Sequence, residues 1–217
     1  MTKMAAGGGR WAQVAPERIE RWIAGFVERH GPVQIGIVDG ALSLGAADGA
    51  MAQLHPPAGA ATPTDVPSFV AGALAPRRLG LVLARRGAVA VGVAQGPDLV
   101  VSKVNTSYVQ GRTAAGGWSQ QRFARRRANQ ARSAAGEAAD IVARLLLPEA
   151  GALAAVVVGG DRATLETILA DRRLASVAAL RRGPLLESPE PRRAVLVEAV
   201  AAARAVRIRL TDPPPEP

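Results

Sequence analysis

The stretch Gly116-Gly117-Trp118-Ser119-Gln120-Gln121 puts a hydroxyl and two amides directly behind a pair of glycines, and a row of arginines follows the amides. Several chemistries can be tried against it. A serine hydrolase needs Gly-x-Ser-x-Gly at a strand-to-helix elbow. Ser119 stands at such a place, but Gln121 occupies the second glycine position, so Ser119 reads better as a helix cap that accepts from the N–H of Gln121 or Arg122. Metal-assisted hydrolysis needs clustered carboxylates or histidines. The acids Asp39, Asp48, Asp65, Asp98, Asp140, Asp161 and Asp171 are scattered instead at positions that read as turns and helix caps. His30 closes a helix and His55 falls in a loop; both are expected to be solvated and without a partner. Gly159-Gly160-Asp161 before a helix resembles a phosphate cradle. Without a Walker lysine or a full dinucleotide fingerprint it reads as a turn and a cap. No metal and no cofactor is expected.

Charge singles out the same region. No acid occurs between Asp98 and Glu137, and that window holds Lys103, Arg112, Arg122, Arg125, Arg126, Arg127 and Arg132. Most of the chain's net charge of +9 therefore lies in one window. Charge so concentrated suits a polyanionic partner. Arginine is abundant throughout, in an Ala/Arg/Gly/Pro-rich composition, so the clustering is more informative than the total.

On composition alone, Gly116 to Gln121 could be a loose turn entering a helix. Three features oppose that reading. Paired glycines cost conformational entropy and usually serve a special backbone path or a close approach. Two uncharged amides stand beside a dense arginine row, and Trp118 sits at the tip of the loop.

The elements that must position this stretch follow from periodicity. Met1 to Arg10 is small, polar and glycine-rich and is expected to be flexible. Residues Pro16 to His30 have helical spacing, with Ile19, Trp22, Ile23, Phe26 and Val27 on one side and Gly31-Pro32 as the stop. Val33 to Val38 and Ala41 to Gly45 flank Asp39-Gly40, a hairpin signal. Ala46 to Pro67 has no period and reads as a long loop, followed by a short helix from Ser68 to Leu74. Leu79 to Ala84, Ala88 to Ala94 and Leu99 to Asn105 form an antiparallel meander that feeds the glycine loop, Thr106 to Gly117.

From Trp118 or Ser119 a helix is expected to run to about Leu147, where Pro148 stops it. Phe123, Arg127, Ala131, Ala134, Ala138, Ile141, Val142 and Leu145 form its inner stripe, and Arg122, Arg125, Arg126, Asn129 and Arg132 cover another face. Beyond it come a buried strand (Leu153 to Val158), a helix capped at Asp161, a strand from Ala175 to Leu180, a helix from Arg192 to Ala203 and a last strand from Val206 to Leu210. Strands first, then alternating helix and strand, predict an α/β or α+β fold: a mixed sheet with flanking helices. One domain from 11 to 211 is expected, with a flexible tail from Asp212 to Pro217.

Composition bounds the rest. A hydrophobic share of 48% is ample for a core, although much of it is alanine. The chain has no cysteine, which excludes disulfides, thiolate nucleophiles and cysteine-based zinc sites. No apolar run is long enough to span a membrane, and Met1 to Arg10 lacks a signal-peptide core. A soluble cytoplasmic protein is the expectation.

Gly116-Gly117-Trp118-Ser119-Gln120, with the basic run and Asn129-Gln130 behind it, resembles the Gly-x-x-Gln loop of the release-factor-like peptidyl-tRNA hydrolases, and most closely their actinobacterial branch. That family is similar to the catalytic middle domain of eukaryotic and archaeal class I release factors, which present Gly-Gly-Gln. The resemblance covers most of the chain and implies an RNase H-like fold. It also implies ester hydrolysis on a large ribosomal subunit that carries a stranded peptidyl-tRNA, hence ribosome rescue and ribosome-associated quality control. The expected partners are the large subunit, its 23S-type rRNA and peptidyl-tRNA, with the chain itself monomeric and away from membranes.

By position, Gly117-Trp118-Ser119-Gln120 matches Gly-x-x-Gln, which places the catalytic amide on Gln120. Two residues separate Gly117 from Gln120, whereas the release-factor motif has none, so Gln121 is the other candidate. Gly116 and Gly117 would let the backbone pass tightly packed RNA. A glutamine is no base at neutral pH, so its task would be to place water or stabilise an oxyanion. Arg112, Arg122, Arg125, Arg126, Arg127 and Arg132 would meet rRNA phosphates, and Trp118 would stack on a base. No segment reads as a codon-recognition module, so hydrolysis independent of the codon is expected. Two other readings stand beside this one: a non-catalytic RNA- or ribosome-binding factor, and an RNase H-like nuclease, against which the lack of an acidic cluster argues.

Overall fold

The computed structural model describes residues 3–4, 9–85, 87–106 and 119–213, with the backbone alone for 3–4, 119–129 and 131. Within the stretch 11–211, which reads as one domain in sequence, the chain forms two compact units: Met1–Arg77 with Ala201–Pro217, and Arg78–Val200. The fold class is α+β: two sheets with flanking helices.

The first unit is built on a six-stranded sheet. Its elements are β1 (Lys3–Met4), β2 (Arg10–Val14), α1 (Ile19–His30), β3 (Val33–Val38), β4 (Ala41–Ala46), β5 (Met51–His55) and α2 (Val66–Leu74). The strand that closes it, β10 (Val206–Thr211), comes from the far end of the chain. The spatial order is β1-β2-β10-β5-β4-β3, antiparallel throughout. Asp39 and Gly40 both have positive φ, 50° and 74°, so the β3–β4 hairpin turns as its sequence predicts.

Leu42, Leu44, Ala52, Leu54, Val206 and Ile208 point to one face and bury Ile19, Ile23 and Phe26 of α1 and Phe69 and Ala73 of α2. Asp65 caps α2: it accepts from the Ser68 N–H at 2.8 Å, while the Ser68 hydroxyl accepts from the Asp65 N–H at 3.0 Å. Arg77 donates to the carbonyls of Gly72 and Ala73 at the other end of α2.

Two expectations fail here. The loop expected from Ala46 to Pro67 contains β5. Five residues carry too little alternation to register, and the strand exists because β4 and β10 pair with it on both sides. The N-terminal segment expected to be flexible contains β1 and the start of β2, which pairs with β10.

The second unit has a four-stranded sheet in the order β8-β7-β6-β9, from β6 (Arg78–Arg85), β7 (Ala88–Gln95), β8 (Asp98–Thr106) and β9 (Ala155–Gly160). The meander β6-β7-β8 is antiparallel, as expected, and β9 joins β6 in parallel. Helices cover both faces of this sheet. Val82, Ala84, Val89, Val91 and Val93 pack under α3 (Ser119–Leu146) and α4 (Arg162–Leu169). Leu81, Leu83, Ala90 and Ala94 pack under Leu196, Ala199 and Val200 of α6 (Arg193–Arg204). Burial on both faces explains why β6 and β7 read as continuous apolar runs.

Residues expected as a strand from Ala175 to Leu180 form a short helix, α5 (Ala175–Ala179). An apolar run of this length has no decisive period, and alanine favours helix. No helix among the described residues is long and apolar enough to cross a membrane.

Candidate functional site

The longest element, α3, has 28 residues, which makes it about 42 Å long. It follows β8 in the chain, and its first turn contains Ser119, Gln120 and Gln121. Its end is anchored. Ala138, Ala139, Ile141, Val142 and Leu146 are buried against the valines of β6, β7 and β9 and against Leu165 and Ile168 of α4. Just past the helix, Glu149 accepts two hydrogen bonds from the Arg78 guanidinium, at 2.7 and 2.8 Å, which ties this end to the start of β6. The pairing lowers the Glu149 pKa and raises that of Arg78.

An ion network adds to the anchor. Arg173 reaches Asp140 of α3 at 2.8 Å and Asp171 at 2.6 Å. Hydrogen bonds from the Arg173 side chain, and then from its N–H, hold the Asp171 pKa down to about 2.

At 3.6 residues per turn, positions 122, 125, 126, 129 and 132 lie around the helix from the line through Ala138 and Val142. Arg132 is exposed. The backbone of Gln120, Gln121, Arg122, Arg125, Arg126 and Arg127 is helical. Thr106, the expected start of the glycine loop, ends β8; Arg112, Gly116, Gly117 and Trp118 lie outside the described residues, as does the rest of that loop. Phe123, Arg127 and Ala131, the first half of the expected inner stripe, are described by backbone alone. Of its second half, Ala138, Ile141 and Val142 are buried, Leu145 is only partly so, and Ala139 and Leu146, outside the expected stripe, complete the buried face.

The competing chemistries can be judged where they are visible. Gly160 has φ 101°, and a Cβ there would sit 2.1 Å from the Ala84 carbonyl oxygen. The adjacent Asp161 accepts from the N–H and the hydroxyl of Thr164, at 2.8 and 2.6 Å, as the N-cap of α4. Those bonds lower its pKa. The Gly-Gly-Asp segment is thus the turn and cap it reads as. Asp65 and Asp171 are likewise caps, and Asp39 lies in a hairpin turn. Among the described residues, no three histidines or acids gather as a metal site would require.

The histidines depart from expectation. His30 Nδ1 lies 2.8 Å from Asp48 Oδ2, an ion pair when the ring is protonated, and the same carboxylate accepts from the Ala50 N–H. The hydrogen bond to His30, then that from Ala50, lowers the Asp48 pKa. His55 lies on β5, half-buried, with its ring 5.3 Å from that of Trp11. Burial lowers its pKa first, and the charges of Arg207 and Arg209 lower it further. The expectation that both are solvated fails because their partners are distant in sequence: Asp48 lies across a hairpin, and Trp11 two strands away.

That second cluster is not visible in the sequence. β10 brings Arg207 opposite His55 on one side and opposite Gln13 on the other, and Arg209 opposite Gln53 and Trp11. The Arg207 guanidinium lies over the Trp11 ring at 4.3 Å from its centroid. The available signal is the alternation Val-Arg-Ile-Arg-Leu, which puts two arginines on one face of a strand.

Among curated proteins, none matches the chain. Among solved structures, the archaeal translation termination factor aRF1 is 22% identical, with a TM-score of 0.43 over 58% of this chain and 34% of that one. A second structure, described only as an archaeal protein, is 15% identical, with a TM-score of 0.40 over 74% of this chain and 52% of that one. The chain thus spans about a third of the first match and about half of the second. The family model described as Actinobacteria/chloroflexi VLRF1 release factor matches residues 77–209. That stretch holds the meander, α3, the Gly-x-x-Gln segment and every helix after it, and the chain belongs to this release-factor family.

Proposed function

We propose that the protein is a peptidyl-tRNA hydrolase that frees nascent chains from stalled large ribosomal subunits, with Gln120 or Gln121 placing the attacking water. One observation carries the reading. In a chain of a release-factor family, the Gly-x-x-Gln segment runs straight into a long helix whose first turns are dense in arginine and whose far end is buried in the core.

The chemistry asked of the protein is modest. A water oxygen bonds to the ester carbonyl carbon, and the bond from that carbon to the 3′ oxygen of the tRNA breaks. The water proton ends on the departing 3′ oxygen. A neutral amide, or the N–H of its own backbone, orients the water or donates to the oxyanion that forms. Gly116 and Gly117 give the backbone room beside RNA, and Trp118 stacks on a base. Arg112, Arg122, Arg125, Arg126, Arg127 and Arg132 meet rRNA phosphates. The cytoplasm is where such a substrate occurs.

The test is peptide release from isolated peptidyl-tRNA–large-subunit complexes. The unsubstituted protein should release the chain. Gln120→Ala or Gln121→Ala should stop release while subunit binding persists, and the variant that does so identifies the working amide. Normal release by both variants overturns the proposal. Binding without release by the unsubstituted protein leaves a ribosome-binding factor.

A further inference from the structure

The six-stranded sheet of the first unit has two unlike faces. One carries Leu42, Leu44, Leu54 and Ile208 and is buried under α1 and α2. Strand alternation sends Trp11, Gln13, Gln53, His55, Arg207 and Arg209 to the other. No aspartate or glutamate occupies a β2, β5 or β10 position on that face. Gln13 is exposed, and Trp11, Gln53, His55, Arg207 and Arg209 are partly exposed.

Arg207 is the telling residue. Its guanidinium is held over Trp11, 4.3 Å from the ring centroid. Its side chain makes no hydrogen bond or ion pair within the described residues. Burial shifts its pKa downward. Arg10, near the edge of the same strand group, is by contrast paired with Asp212 at 3.3 Å. An arginine that lies over a ring, partly desolvated and with no counter-charge among the described residues, is costly in isolation.

We propose that this face is an RNA-binding surface, on which Arg207 meets the phosphates of a single-stranded segment while Trp11 and the flanking glutamines meet its bases. Cationic charge alone would suit any polyanion. The arginine-covered ring and the amides at 13 and 53 favour nucleic acid, because bases stack on aromatic rings and guanidinium planes and present donors and acceptors to amides. The surface stands apart from the ester-cleavage reading. β2 and β5 precede residue 77, where the family match begins, Arg207 and Arg209 lie at its far end, and none of these residues belongs to the Gly-x-x-Gln segment or to α3.

The experiment titrates the full chain against a labelled oligouridylate of about 12 nucleotides, within the span such surfaces cover, and against polyglutamate, at several salt concentrations. The unsubstituted protein should bind the RNA more tightly. Arg207→Gln should weaken RNA binding about tenfold and lower the logarithmic salt slope by about 0.7 for each phosphate no longer neutralised. Arg207→Lys, which keeps the charge but not the plane, should weaken RNA binding and leave polyglutamate binding unchanged. Gln13→Glu with Gln53→Glu keeps the sheet core intact and should weaken RNA binding in a protein with an unchanged melting temperature. Unchanged affinity and salt slope in both Arg207→Gln and the double glutamate variant overturn the proposal. Equal losses on RNA and polyglutamate overturn the assignment to RNA.

Discussion

The two ends of α3 differ in make-up on one continuous helix. From Ala138 to Leu146 its side chains fill the core of the second unit, and Asp140 joins an ion network on its outer side. From Gln120 to Arg132 the same helix carries amides and arginines at a density that no core would accept. Under the proposed function, the contrast separates stability from function along a single element. Damage to the buried end should reduce folding, and should reduce activity only by that route. Damage to the leading end should reduce activity in a protein that folds normally.

The largest expected effect is at the leading end. Removing the working amide, by Gln120→Ala or Gln121→Ala, should slow peptide release about 10²–10³-fold, the range for removing one oxyanion donor. The melting temperature should stay where it was. A fall in stability matching the fall in release would dissolve the contrast.

Next comes the buried end. Leu146 is fully buried, and Leu146→Ala should destabilise the protein by about 2–5 kcal/mol, read from chemical denaturation. Release per folded molecule should be preserved. A smaller effect follows from Arg125→Glu with Arg126→Glu. Subunit binding should weaken, most at low salt, with the logarithmic salt slope falling by roughly 0.9 for each phosphate these arginines neutralise. Salt-independent binding would instead make them an ordinary solvated face.

The smallest effect is on pH. Asp171 is held near 2 by Arg173, and Asp48, Asp65, Asp161 and Glu149 are also shifted down by their hydrogen bonds. A lowered carboxylate pKa contributes stability above its unfolded value, and that contribution is lost as the pH falls through the folded one. The melting temperature should therefore decline between about pH 4 and pH 2, and Arg173→Ala should flatten part of that decline. A curve unchanged by Arg173→Ala would remove the ion network from the account of how α3 is anchored.

The same contrast explains what can be read from the sequence. A helix writes its faces into neighbouring residues, so the arginine row, the inner stripe and the stop at Pro148 are legible directly. The meander β6-β7-β8 is legible too, because its turns are short and its runs long. The six-stranded sheet of the first unit is not. Its order places β10 between β2 and β5, and no local pattern states that the chain's last strand will pair with one of its first. The Trp11–His55–Arg207 cluster is therefore hidden in the sequence, and so is the His30–Asp48 pair. The loop reading of β5 fails for the same reason: its pairing partners, not its own five residues, make it a strand.

The joint after β9 carries a lesson for reading glycine pairs elsewhere. At position 160 a neighbouring carbonyl leaves room for hydrogen and nothing larger, so selection can hold a doublet of glycines there with no substrate involved. A doublet is thus an ambiguous mark in any genome-wide motif scan. What sets 116–117 apart from that ambiguity is the company it keeps downstream, and a scan that scores the amides and the basic row together will admit far fewer false matches than one that counts glycines.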